Sequence, residues 1–338
     1  MNTPNLEAET LNNLIDKFPA ISAFLSTRGK AIFFPKHGVF AQSHEAKNTK
    51  INATIGMAID NNGEIMRLES IASSIHLPAN DFLPYAPCGG MEALRKKWRE
   101  CIEERYPKLK NVPISLPVVT AGLTHALSII AGLFISDGDE VIVAAPYWGN
   151  YNLIFENQFN AIFSSFDLFD HEKLNLNHLK KLLDKEGNKK TLLLSFPHNP
   201  SGYMPTKDEV KLMVKMIKET ANKKQILIIC DDAYEGLVYQ ETCHQESLFE
   251  QLADCHENIF VIKIDGITKE YSAWGLRVGF ITFGIKNGTQ ELYDALINKT
   301  TGMIRASVSN TSHLSQAVIL QALLNPRCAS EKAQAIDL

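Results

Sequence analysis

IFVIKIDGITKEYSAWGLRVGFITF, residues 259–283, sets two apolar runs, IFVIKI (259–264) and VGFITF (278–283), on either side of a polar, glycine-containing connection. Each run is too short for a helix and apolar almost throughout, which suits a strand covered on both faces. Five more such runs come earlier: PVVT (117–120), EVIVAA (140–145), AIFSSF (161–166), TLLLSF (191–196) and QILIIC (225–230). Between them lie helical stretches such as THALSIIAGLFI (124–135) and KDEVKLMVKMIKETANKK (207–224). This alternation predicts βαβ units and an α/β fold with a mainly parallel sheet. Ligands of such sheets sit outside the carboxyl ends of the strands. The residues that follow each run are therefore where chemistry is expected.

PVVT leads into Ala121-Gly122-Leu123-Thr124 and a helix. Free backbone N–H groups and the helix dipole make such a turn an anion site suited to phosphate; a plain turn capped by Thr124 is the alternative. EVIVAA leads into Pro146-Tyr147-Trp148-Gly149-Asn150-Tyr151, where Trp148 either stacks on a flat ring or joins the core. TLLLSF leads into Pro197-His198-Asn199-Pro200-Ser201-Gly202, a rigid turn whose Asn199 amide either donates to a ligand oxygen or closes an Asx turn. QILIIC leads into Asp231-Asp232-Ala233-Tyr234. A carboxylate there is costly without a partner, and a cationic ring nitrogen or solvent would supply one. After IFVIKI comes Lys269, one of 26 lysines and uninformative alone. Arg277 is one of only eight arginines, and before an apolar strand it needs an anion or an ion pair. One ligand uses all of these groups together: a flat, cationic, phosphorylated aldehyde, pyridoxal phosphate.

The ordered motifs N-P-S-G (Asn199 to Gly202), D-D-A-Y (Asp231 to Tyr234) and T-K-E-x-x-x-x-G-L-R-V-G (Thr268 to Gly279) resemble those of the class I/II aminotransferases of fold type I, the aspartate aminotransferase superfamily. The resemblance runs from about Asn52 to about Asn310. It implies a seven-stranded sheet with helices on both faces, in which VGFITF is the antiparallel strand. It implies that Lys269 carries the cofactor as a Schiff base and shuttles the substrate proton, and that Asp231 pairs with the pyridinium nitrogen. Tyr234 and Asn199 would bond the ring oxygen, and Trp148 would stack on the ring. Gly122, Leu123, Thr124 and Arg277 would hold the phosphate. Tyr85, in Y-A-P-C-G-G-M-E-A-L-R (Tyr85 to Arg95), would reach the phosphate of the other subunit of a homodimer, and Gly56, in I-N-A-T-I-G, would line the substrate entry. Arg305, in R-A-S-V-S-N, resembles the arginine that selects dicarboxylates; a helix-start arginine paired with a carboxylate is the alternative. The implied reaction moves an amino group between a dicarboxylic or aromatic amino acid and a 2-oxo acid. Carbon–sulfur lyases, decarboxylases and cyclopropane-forming synthases share this constellation, and a catalytically impaired cofactor binder is the non-enzymatic alternative. A nicotinamide-dependent reading lacks G-x-G-x-x-G after the first strand.

The rest of the chain sets bounds. The 338 residues carry a net charge of -4, which offers no basic field for nucleic acid. No apolar run approaches the roughly 18 residues of a membrane span, and the opening MNTPNLEAETLNNLIDKF has no arginine, so a cytoplasmic location is expected. Six cysteines include the pairs Cys243-His244 and Cys255-His256, whose spacing fits no usual zinc pattern, so no metal is expected. The first 50 residues read as one or two short helices, MEALRKKWRECIEER (91–105) as an amphipathic helix, and the end as one helix from near Asn310. The expected division is an N-terminal part of a small domain over 1–74, a cofactor-binding domain over 75–310, and the start of a truncated C-terminal small domain over 311–338. In this reading the family's α-carboxylate arginine has no counterpart, and Gly266 replaces a phosphate-binding serine.

Overall fold

The computed structural model describes residues 5–35, 39–50, 52, 54, 56–60 and 62–337. Its strands are β1 (Val118–Thr120), β2 (Glu140–Ala145), β3 (Ile162–Asp167), β4 (Phe169–Asp170), β5 (Lys173–Leu174), β6 (Lys189–Ser195), β7 (Gln225–Asp231), β8 (Ile259–Gly266) and β9 (Gly279–Ile285). Strands β4 and β5 form a small antiparallel pair. The other seven, one for each apolar run, make a single sheet in the order β1-β9-β8-β7-β6-β2-β3. Only β9 runs against its neighbours, pairing antiparallel with both β1 and β8.

That one reversal decides where the chemistry gathers. Six strands end at one edge of the sheet, and β9 begins there. Gly279, its first residue, pairs with Thr120 at the end of β1 and with Gly266 at the end of β8. Arg277, just ahead of β9, therefore joins the residues that follow β1, β2, β6, β7 and β8.

Two apolar layers cover the sheet. On one face Leu123, Leu127 and Ile130 of the helix Leu123–Phe134 pack with Ile229, Ile262, Ile264 and Ile281. On the other, the helices Glu92–Arg105 and Lys207–Ala221 bring Leu94, Trp98, Val210 and Met213 against Ile228, Cys230 and Phe280. Trp98 stacks on Phe280 with ring centroids 4.1 Å apart. The helix Lys207–Ala221 opens with a capping box between Thr206 and Glu209, which satisfies two of its orphan backbone N–H groups.

Two expectations need correction. Among its described residues the N-terminal region holds four short α-helices, Leu6–Ile15, Pro19–Ser22, Thr27–Ala31 and Val39–Glu45, rather than one or two. The C-terminal region holds two helices, His313–Leu324 and Cys328–Asp337, not one. The break falls at Asn325-Pro326, where the proline ring pushes the preceding residue to extended backbone (φ -73°, ψ 121°). The first of these helices lies on Glu92–Arg105, where Gln316 Oε1 accepts from the Met91 N–H at 2.8 Å. Among the described residues no helix is long and apolar enough to cross a membrane.

Candidate active site

Each candidate residue can be placed by the strand that delivers it. Asp231 closes β7 and is buried. Register pairs it with Ile264 and pairs Cys230 with Lys263. Strand alternation then points Asp231 to one face of the sheet and Asp232, Lys263 and Asp265 to the other.

On the Asp231 face, Tyr151 donates to Asp231 Oδ2 at 2.5 Å. The other oxygen, Oδ1, is buried and has no protein partner. Burial pushes the Asp231 carboxyl up to about 6, against the opposing pull of the Tyr151 hydroxyl. Burial, and after it the Asp231 charge, push Tyr151 well above the usual phenol value, so it stays a donor. The pairing residue Tyr151 carried no role in the sequence reading. It stands six residues after the end of β2, and only the fold brings it to β7. Trp148 lies edge-on to Tyr151, with centroids 5.5 Å apart, and so stands over the same end of the sheet.

Lys269 follows β8. Its Nζ donates to the Gly56 carbonyl at 3.0 Å and lies 5.5 Å from the centroid of the Tyr234 ring. A Cβ on Gly56 would stand 3.1 Å from that Nζ and 3.8 Å from the Tyr234 hydroxyl. The structure thus brings Gly56, Lys269 and Tyr234 together, although Ile51, Ala53 and Ile55 of the I-N-A-T-I-G segment lie outside the described residues. Burial lowers the Lys269 amine, and the Arg277 cation lowers it further. Burial raises the Tyr234 phenol, with Asp231 adding to it.

The turn after β1 is built around Gly122, whose φ of +81° favours glycine. A Cβ there would come within 2.4 Å of Arg277 Nη2, so the guanidinium packs directly on the turn. Leu123 and Thr124 start the helix, with their backbone at its positive end. His125 Nδ1 takes the Ala121 N–H at 3.0 Å. Arg277 itself adopts φ +52°, a left-handed backbone that is costly for a side chain of this size. Arg277 has no carboxylate within ion-pairing distance among the described residues; its recorded bond runs to the Trp274 carbonyl at 3.3 Å. A cation placed on an anion-binding turn without an acid partner suits a phosphate.

The remaining positions are Asn199, Tyr85, Arg305 and Gly266. Asn199 is half-buried in the turn after β6, and the peptide bonds before Pro197 and Pro200 are cis. Tyr85 is 92% exposed. Arg305 lies in the last turn of the helix Gln290–Ser307, not at a helix start, and donates to Ser309 Oγ at 2.6 Å. At Gly266, a Cβ would stand 2.7 Å from the Val278 carbonyl and 2.9 Å from Gly279 Cα. No side chain fits there as the strands lie.

The buried orphan oxygen of Asp231, the glycine cradle under Arg277 and the depressed amine of Lys269 fit pyridoxal phosphate at its ring nitrogen, its phosphate and its aldehyde. The family described as aminotransferase class I and II matches residues 50–336. The chain belongs to the class I and II aminotransferase family. An aspartate aminotransferase of Bacillus sp. (strain YM-2) is 26% identical over 254 residues, which is 74% of this chain and 59% of the relative. A tyrosine aminotransferase of Dictyostelium discoideum is 24% identical over 208 residues, or 61% of this chain and 46% of the relative. This family member thus spans between about half and three fifths of the length of such relatives. The crystal structure of an aminotransferase from Anaerococcus prevotii superposes with a TM-score of 0.81 at 23% identity, covering 93% of this chain and 78% of its own. That likeness establishes the aminotransferase fold, with its mostly parallel seven-stranded sheet.

Proposed function

We propose that this chain binds pyridoxal phosphate and moves an amino group between an amino acid, dicarboxylic or aromatic, and a 2-oxo acid. The observation that carries the reading is Asp231 Oδ1, buried and unpartnered beside a carboxylate oxygen already bonded to Tyr151. A donor from a ligand would complete it, and a protonated ring nitrogen is such a donor. Asp231 holds that nitrogen. Gly122, Leu123, Thr124 and Arg277 hold the phosphate, Asn199 and Tyr234 the ring oxygen, and Trp148 covers the ring. The bound cofactor supplies an electron sink for charge developing at the substrate Cα.

The chain's own residues do the rest. Asp231 keeps the ring nitrogen protonated by supplying the opposite charge. Lys269, its amine lowered by burial and by Arg277, would take the proton from the substrate Cα and hold it for return. The carbonyl of Gly56 orients that amine at 3.0 Å. Arg305, exposed and free of any carboxylate partner among the described residues, meets the side-chain carboxylate of a dicarboxylic donor. Tyr85, with Leu83 at 72% exposure beside it, supports a homodimer in which each copy lends its phenol to the other's phosphate site. Six unpaired cysteines suit the reducing cytoplasm.

The test is a half-reaction. The chain is loaded with pyridoxal phosphate and given aspartate, glutamate or tyrosine without an acceptor. Stoichiometric pyridoxamine phosphate supports the proposal, and the fastest donor names the substrate class. Release of ammonia, sulfide or carbon dioxide instead would assign a lyase or decarboxylase and overturn it.

A further inference from the structure

Behind the cofactor face lies a buried cluster of charge that the proposed chemistry does not use. Lys263, in mid-sheet and 0% exposed, bonds Asp232 Oδ2 at 2.5 Å and Glu235 Oε1 at 2.8 Å, and stands 3.5 Å from Asp265 Oδ2. Ser247 donates to Asp232 at 2.6 Å and Trp98 to Asp265 at 3.1 Å. Arg105, at the end of its helix, bridges Glu235 Oε2 at 2.9 Å and Glu270 Oε1. Lys332, on the helix Cys328–Asp337, reaches the same Glu270 oxygen at 2.8 Å and lies 4.8 Å from the Tyr271 ring centroid. Two of the acids are chain neighbours of site residues: Asp232 follows Asp231, and Glu270 follows Lys269.

Glu270 is held by two cations, Arg105 and Lys332. It is 7% exposed. Gly236, with φ +83°, passes so close that a Cβ would come within 2.5 Å of Glu270 Oε1. The turn bearing Tyr234 is thereby pressed against the side chain next to Lys269. A lysine side chain has four rotatable bonds, so an amine that must meet one atom depends on where its backbone is fixed. We infer that Glu270 is a positioning residue for Lys269, clamped by Arg105 and Lys332 so that the lysine's backbone and the charge behind it are both set. This rests on the reading of Lys269 as the amine that takes up pyridoxal phosphate.

The signs of the charges make the inference testable. Lys269 faces Arg277, Tyr234 and the Gly56 carbonyl. Glu270 faces Arg105, Lys332, Tyr271, Cys328 and, through Arg105, Glu235. Glu270→Gln keeps the shape and removes a negative charge, which favours the free amine of Lys269. Lys332→Met removes a positive charge and favours the ammonium. One charge acting over a distance of order 10 Å at intermediate dielectric moves a titration by about half a pH unit.

The experiment uses the full chain stripped of cofactor. The rate of pyridoxal phosphate uptake, read as visible absorbance without any amino acid, is followed from about pH 6 to 10, across the range of a lowered lysine. The midpoint is expected to fall in Glu270→Gln and to rise in Lys332→Met, each by about half a unit. Amide exchange across residues 267–272 of the cofactor-free chain is expected to quicken in Glu270→Gln. Midpoints that stay put, or move the same way in both variants, would overturn the inference. If Glu270→Gln does not fold, the upward shift in Lys332→Met decides alone. A parent chain that takes up no pyridoxal phosphate would instead refute the reading of Lys269, and the inference with it.

Discussion

Replacing Tyr151 with Phe removes one oxygen atom and isolates one buried carboxylate. The Asp231 carboxyl already stands at about 6, against an ordinary 3.8, even with the Tyr151 bond in place. That rise of roughly two units corresponds to about 3 kcal/mol of unfavourable ionisation in the fold. A hydrogen bond to a charged group is worth about 1.5–3 kcal/mol, so its loss raises the Asp231 carboxyl further. The sign follows from linkage. A carboxyl whose folded value lies above its unfolded value leaves the fold unaffected at low pH and weakens it as pH rises between the two. Tyr151→Phe is therefore expected to cost about 1 kcal/mol near pH 4, where only a neutral bond is lost, and about 2–3 kcal/mol near pH 8.5. Urea unfolding of the cofactor-free chain at the two pH values measures both. Equal losses, or a larger loss in acid, would refute the assignment of Tyr151 as the donor that supports an ionised Asp231.

Three further substitutions probe the frame around the site. Gly122→Ala meets both a φ of +81° and the Arg277 guanidinium; it is expected to weaken pyridoxal phosphate binding at least about tenfold, read by absorbance titration. Gly266→Ser places a Cβ 2.7 Å from the Val278 carbonyl and is expected to cost about 1–3 kcal/mol in urea unfolding rather than to add a phosphate contact. Lys263→Met leaves three buried carboxylates without their shared cation and is expected to cost about 3–5 kcal/mol at neutral pH. An unfolding midpoint for Lys263→Met equal to the parent's would show that the cluster does not need its central charge.

Much of this was legible in the sequence because the sheet is buried on both faces. The inner strands had to be apolar along most of their length, and their runs stand out for that reason; the edge strand β3 is largely exposed and carries two serines. The residues after the runs could be collected without knowing the strand order, since co-directional strands end at one edge. What escaped notice depends on contacts between distant parts of the chain. Tyr151 pairs with a residue 80 positions away in the chain, and a tyrosine in an aromatic turn does not announce a carboxylate partner. Lys263 sat inside a run read as apolar, yet Lys263 and Asp265 alternate in β8 and so share a face. Two charges at that spacing in a covered strand are the signal that could have found the ion cluster. The split of the C-terminal helix was also available, in Pro326. The four N-terminal helices are each only 4 to 10 residues long, too short for periodicity to mark them out.

The placement of β1 also bears on how the protein is made. This three-residue strand is an edge of the sheet and pairs there only with β9, which follows all the other strands of this sheet in the chain. The phosphate turn at Gly122 thus leaves the ribosome early but has no strand to rest on, and no Arg277 to close it, until Gly279 and its neighbours have followed. A growing chain therefore has its Asp231 strand well before it has an anion cradle. Arg277 meets the Gly122 turn only once β9 lies between β1 and β8, so the candidate site joins two distant parts of the chain.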